Sequence, residues 1–153
     1  MLTTKEIQEY QRQAMTTCTP ECFSNDYLHY GLIAEIGELA GKVAKKIRGD
    51  KITDDEIKGE IGDIAWFIVV QSRYDGHRIS SANECSAFPF DPDVIDRLLM
   101  LAAGYAPGSR MWVLFEALCF GYRFDAKEVL RFNIEKLASR QKRGKIRGNG
   151  DFR

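Results

Sequence analysis

Apolar residues recur along this chain mostly at steps of three and four, the period of a helix laid against a core. Thr3 with Glu6 three residues later is a capping pair for a helix start, and Ile7, Tyr10, Gln11 and Ala14 continue at helical spacing to a break before Pro20. From about Asp26, the positions Leu28, Leu32, Ile36, Leu39, Val43 and Ile47 form one stripe that Gly49-Asp50 stops. A second capping pair, Thr53 with Glu56, opens a third helix in which Ile57, Ile61, Ile64 and Ile68 repeat up to Asp75-Gly76. Residues 80–90 lack periodicity. Asp91-Pro92, then Ser109, then Asp125 with Glu128 predict starts for helices over 94–103, 111–120 and 129–140. No strand pattern competes, so the expected fold is an all-α bundle of five to six helices, one domain over residues 1–153, with a flexible basic tail from 142.

Composition narrows the classes. Charged residues are 29% and apolar residues 44% of the 153 positions, far from a disordered profile. The longest apolar run, residues 64–70, is too short for a membrane span of about 20 residues, and the first residues lack the pattern of a secretory leader, so a cytoplasmic protein without a membrane partner is expected. Four cysteines, Cys18, Cys22, Cys85 and Cys119, read as free thiols, and Cys18, Cys22 and His29 do not have the spacing of a common zinc site. His29 and His77 have no recognisable catalytic partner, so both read as structural or solvent-facing. A net charge of zero conceals an acidic body of −6 over residues 1–130 and a basic end of +6 over 131–153.

An internal echo carries the candidate chemistry. Glu35-Ile36-Gly37-Glu38-Leu39-Ala40 returns 25 residues later as Glu60-Ile61-Gly62-Asp63-Ile64-Ala65, each copy within a helix of an expected antiparallel pair. Residues three apart share a helix face, so Glu35 with Glu38 and Glu60 with Asp63 can converge as four carboxylates, a donor set for Mg²⁺ with Mn²⁺ as a substitute. Gly37, Gly41, Gly59 and Gly62 weaken helix interiors by about 1 kcal/mol each, which suits a close approach of backbone or ligand.

The spacing Glu35-x-x-Glu38 followed by Glu60-x-x-Asp63 resembles the magnesium-binding signature of MazG-like nucleotide pyrophosphohydrolases, of the all-α NTP pyrophosphatase superfamily. Tyr10-Gln11 with Ala14 and Thr17, Lys45-Lys46, Asn133-x-x-Lys136-Leu137-x-x-Arg140 and the glycine-bearing end are similar to further parts of that family, over roughly residues 6–76 and 121–153. The stretch 77–120 departs from compact members and reads as a helical insertion that could cover a base, enlarge an oligomer contact or decorate the surface.

The resemblance implies Mg²⁺-dependent hydrolysis of a (deoxy)nucleoside triphosphate to the monophosphate and pyrophosphate. Glu35, Glu38, Glu60 and Asp63 would hold metal, and Glu35 or Glu38 would take the proton of the attacking water. Asn133, Lys136, Arg140 and Lys46 would meet the phosphates, and Trp66 or Tyr30 the base, although an aromatic beside an apolar run belongs more often to a core. A homodimer or homotetramer is expected, because residues 64–70 are apolar on every side and an interface near the third helix would cover them. The alternative is a non-catalytic helical module that binds nucleotide or nucleic acid, with residues 131–153 as a phosphate-contacting arm, although nucleic acid is not the expected partner.

Overall fold

Side-chain caps set several helix boundaries. In a computed structural model that describes residues 1–81, 93–106 and 108–144, Thr3 and Glu6 close a complete capping box on α1 (Thr4–Met15), and Thr53 and Glu56 do the same for α3 (Asp54–Tyr74). Ser24 caps α2 (Asn25–Arg48), which ends on Gly49 in the left-handed conformation, φ 97°. Asp125 caps α6 (Ala126–Lys142), while α4 (Val94–Ala103) and α5 (Gly108–Gly121) form the intervening pair. The break before Pro20 is itself structured as a 3₁₀ turn, Pro20–Phe23. Among the described residues the chain is all-α, with six α-helices and no strand. Asp91-Pro92 and the tail beyond Gly144 lie outside the described residues. None of the described helices is long and apolar enough to cross a membrane.

α3 is the axle of the bundle. α2 packs along it, α1, α5 and α6 cover its other sides, and Ile57, Ile61, Ile64, Ala65, Ile68 and Val69 are wholly buried. The apolar girth of residues 64–70 is therefore enclosed by the chain's own helices, and it needs no interface between copies. The 77–120 stretch supplies part of that enclosure. Trp112 and Phe115 of α5 are fully buried against the core, α4 lies on α2, and the α4–α5 loop is held to α2 by Tyr105 stacking on His29 at 3.9 Å. His29 is accordingly structural.

One stripe position is corrected. Ile47 is 83% exposed, whereas Lys42, absent from the stripe, is 6% exposed. The reason is angular drift: at 3.6 residues per turn, Ile47 lies about 100° round the helix from Leu28, whereas Lys42 lies only about 40° away.

These placements predict unequal costs. Ile64→Ala should lose about 2–5 kcal/mol in urea unfolding, since it opens a void in an enclosed helix. Ile47→Ala should stay within about 0.5 kcal/mol. Equal losses at the two positions would contradict the assignment of α3 as the buried axle.

Candidate metal centre

The register of α2 against α3 is antiparallel, and contacts along it fix the site. Gly31 lies against Phe67, Glu35 feels the charge of Asp63, Lys42 Nζ stands 3.3 Å from Glu60 and 3.8 Å from Glu56, and Lys46 Nζ stands 3.8 Å from Asp54. Side chains of neighbouring helices press onto two glycines here: a Cβ on Gly31 would meet the Phe67 ring at 2.3 Å, and one on Gly62 would meet Asn133 Cβ of α6 at 2.9 Å. Gly37 and Gly41 face open space, so no part of the described chain explains them.

Three of the four carboxylates come together. One oxygen each of Glu35, Glu38 and Glu60 lies within 4.8 Å of the others, close enough to share a cation. Exposure runs from Glu38, open to solvent, through half-buried Glu35 to buried Glu60, so the cluster has one open side. Burial is the main cause that lifts the Glu35 carboxyl to about 8, with the charges of Asp63, Glu38 and Glu60 adding to it. Burial and Asp63 also raise Glu60, against the opposing charge of Lys42. Glu35 and Glu60 thus favour their protonated forms until a cation arrives, and an oxygen-only donor set of three carboxylates is one that could hold a hard ion such as Mg²⁺ or Mn²⁺.

The fourth carboxylate is held differently. Asp63 Oδ2 accepts from Lys136 Nζ at 2.5 Å, and Asp63 Oδ1 accepts from Asn133 Nδ2 at 2.7 Å. Lys136 also donates to the Gly59 carbonyl at 3.2 Å. Asn133 is fully buried, and its Oδ1 accepts from the Tyr10 hydroxyl at 2.8 Å. Both ends of that amide are thus used inside the fold, and Asn133 orients Asp63 where direct phosphate contact had been expected. Tyr10, also buried, is a positioning member that spacing alone did not single out as chemistry.

The remaining candidates separate. Arg140 is half-buried one turn beyond Lys136 on α6, whereas Lys46 stands at the outer end of the hairpin, away from the glutamates. The Trp66 indole is 8% exposed and donates to Thr17 Oγ1 at 3.0 Å and to the Ala14 carbonyl at 3.3 Å, a core placement facing α1. Tyr30 is 66% exposed on α2. The aromatic pair beside the carboxylates is instead Tyr27 with Phe67, ring centroids 5.9 Å apart, one turn along α3 from Asp63 and flanking Gly31. The signal for Phe67 was present, since it is four residues past Asp63 and so shares its face. Lys42 was missed because a lysine between apolar positions looks solvent-facing until the partner helix is known. A separate groove of about 770 Å³ between α1 and α6, lined in part by Leu2, Tyr10, Leu130 and Ile134, includes none of Glu35, Glu38, Glu60 and Asp63.

Comparison with protein-family models, curated proteins and solved structures finds no match to this chain. The residues and their geometry therefore carry the functional reading.

Two measurements probe the centre. Lys42→Ala leaves Glu60 buried without its close ammonium and should cost about 3 kcal/mol, part of which added Mg²⁺ restores. A stability loss that Mg²⁺ leaves unchanged would separate Lys42 from the metal centre. The second concerns pH. A carboxyl whose folded value is raised stabilises the fold in its protonated form, fully below the ordinary 4.5, and that contribution is lost as pH rises through about 8. The metal-free protein should lose stability across that window while divalent-ion affinity rises, with proton release seen as a buffer-dependent binding enthalpy in calorimetry. A binding enthalpy independent of buffer would contradict the raised Glu35.

Proposed function

We propose that this protein is a divalent-metal-dependent nucleoside triphosphate pyrophosphohydrolase of the MazG-like, all-α kind, releasing a monophosphate and pyrophosphate. The observation that carries this reading is the meeting of Glu35, Glu38 and Glu60 at the open edge of the α2–α3 pair, with Asp63 and Lys136 beside them. Glu35, Glu38 and Glu60 would hold Mg²⁺ or Mn²⁺, with Asp63 able to join them where Lys136 yields. When bound, such an ion supplies Lewis-acid charge to the phosphate oxygens and lowers the pKa of a water.

The chain's own groups do the rest. Lys136, half-buried and already drawn to negative oxygen, turns its ammonium to the triphosphate, and Arg140 one turn on extends the cationic edge. Asn133 and Tyr10 keep Asp63 in place while Lys136 moves between partners. Glu35 or Glu38 receives the proton of the attacking water at a carboxylate oxygen, and the raised value of Glu35 suits that task near neutral pH. Tyr27, 41% exposed and backed by the buried Phe67 ring tilted at 48° to it, offers an aromatic face on which a base can stack, in place of Trp66 and Tyr30. A homodimer or homotetramer belongs to the same reading, and so does a cytoplasmic setting.

The test is a panel of canonical and damaged NTPs and dNTPs scored for pyrophosphate with Mg²⁺, with Mn²⁺ and with chelator. Turnover of at least one nucleotide should require the metal. Glu38→Gln, at an exposed position where the fold is not at stake, should lower it by roughly 100-fold or more. Lys136→Ala should raise KM and lower kcat together. Salt-dependent retention of DNA or RNA with no turnover would replace this reading with the nucleic-acid module.

A further inference from the structure

One carboxylate of the centre is already neutralised from within the chain. Asn133 and Lys136, three apart on α6, share a helix face and divide Asp63 between them: the amide Nδ2 donates to Oδ1 at 2.7 Å, and the ammonium Nζ donates to Oδ2 at 2.5 Å. The two holds differ in kind. Asn133 is fully buried and its Oδ1 is tied in turn to the Tyr10 hydroxyl, whereas Lys136 ends a flexible four-carbon stem and its side chain is 20% exposed. The amide is fixed, and the ammonium is able to leave. Glu35, Glu38 and Glu60 each bring an oxygen within 4.8 Å of the others, and Asp63 is not in that group.

We propose that Lys136 is an internal latch that withholds Asp63 from the metal centre until an anionic phosphate group draws the ammonium away, so that a divalent cation and a phosphate-bearing ligand each promote binding of the other.

This regulation rests on the metal-dependent reading above. Two positive charges compete for one oxygen. A cation brought to Asp63 Oδ2 meets the ammonium as a like charge, in a half-buried seam where solvent screens it less than at a surface. Expelling the ammonium into water gives up its ion pair and its bond to the Gly59 carbonyl, so the phosphate-free chain leaves a cation with Glu35, Glu38 and Glu60. A phosphate oxygen changes the balance, because the ammonium then exchanges one anion for another. Asp63, still aimed by Asn133, is open to the cation, which also offsets the charge that Asp63 imposes on Glu35. Linkage of this kind is reciprocal: whatever the phosphate does for the cation, the cation does for the phosphate.

Calorimetric titration of the full chain with Mn²⁺ alone, without nucleotide, tests the latch. Lys136→Met keeps the stem and removes the charge, Asp63→Asn keeps the shape of the acid, and circular dichroism checks that each variant retains its helices. Lys136→Met should bind Mn²⁺ at least about fivefold more tightly than wild type, the lower end of common coupling strengths. The same substitution in an Asp63→Asn background should change affinity by less than about twofold, because the gain runs through the freed carboxylate. Inorganic phosphate, with Mn²⁺ counted as the excess on the protein side of a dialysis membrane, should tighten wild type toward the Lys136→Met value and leave that variant unchanged. This arm uses the wild-type chain, so it decides the matter even where a variant fails to fold. Equal tightening in both backgrounds would reduce Lys136 to a general repulsive charge and overturn the latch, as would wild-type Mn²⁺ binding that neither Lys136→Met nor phosphate improves. Absence of Mn²⁺ binding in every form would remove the metal centre together with the latch. The expected pattern with no turnover in the nucleotide panel would strike the hydrolase reading alone.

Discussion

Acidic side chains packed into the seam between two helices are the constraint around which this molecule is arranged. Glu35, Glu60 and Asp63 sit where α2 meets α3, and water is too scarce there to screen them as it would on a surface. Two lysines answer from different elements: Lys42 from α2 onto Glu60, and Lys136 from α6 onto Asp63. The second of these brings α6 across α3 at Gly59 and Gly62, and the Asn133 amide then reaches Tyr10 of α1. Four helices thus converge on one electrostatic problem.

How much of this was readable beforehand depends on the range of the interaction. Capping boxes at Thr3 and Thr53, the Asp125 cap and the helical stripes are decided within three or four residues, and the structure keeps them apart from Ile47 at the end of the α2 stripe. The pairing of Glu35-x-x-Glu38 with Glu60 was also within reach, because a short loop and matched spacing leave few registers for an antiparallel pair. What lay beyond reach is decided by a distant partner. Asn133 looked like a phosphate donor until α3 and α1 took both ends of its amide, and residues 64–70 looked like an interface until α1, α5 and α6 were seen to cover them.

Aromatic residues teach the same lesson at shorter distance. Trp66 and Phe67 are neighbours, yet successive side chains on a helix diverge by about 100°. Trp66 therefore turns to α1 and binds Thr17, while Phe67 turns to Gly31 and Tyr27 beside the carboxylates. The missing side chain at Gly31 is what admits the ring. The α4–α5 pair follows a plainer logic, since Trp112 and Phe115 fill space that α2 and α3 alone leave open.

α3 carries two kinds of side chain along one rod, carboxylates in its first half and apolar bulk in its second. Its backbone amides at Glu60 to Asp63 belong to the same continuous hydrogen-bond ladder as those at Ile64 to Val70. The carboxylate-bearing turn is thus mechanically inseparable from the most enclosed part of the described chain. Deuterium should enter the two stretches at a common slow pace set by global opening, because no hinge divides them.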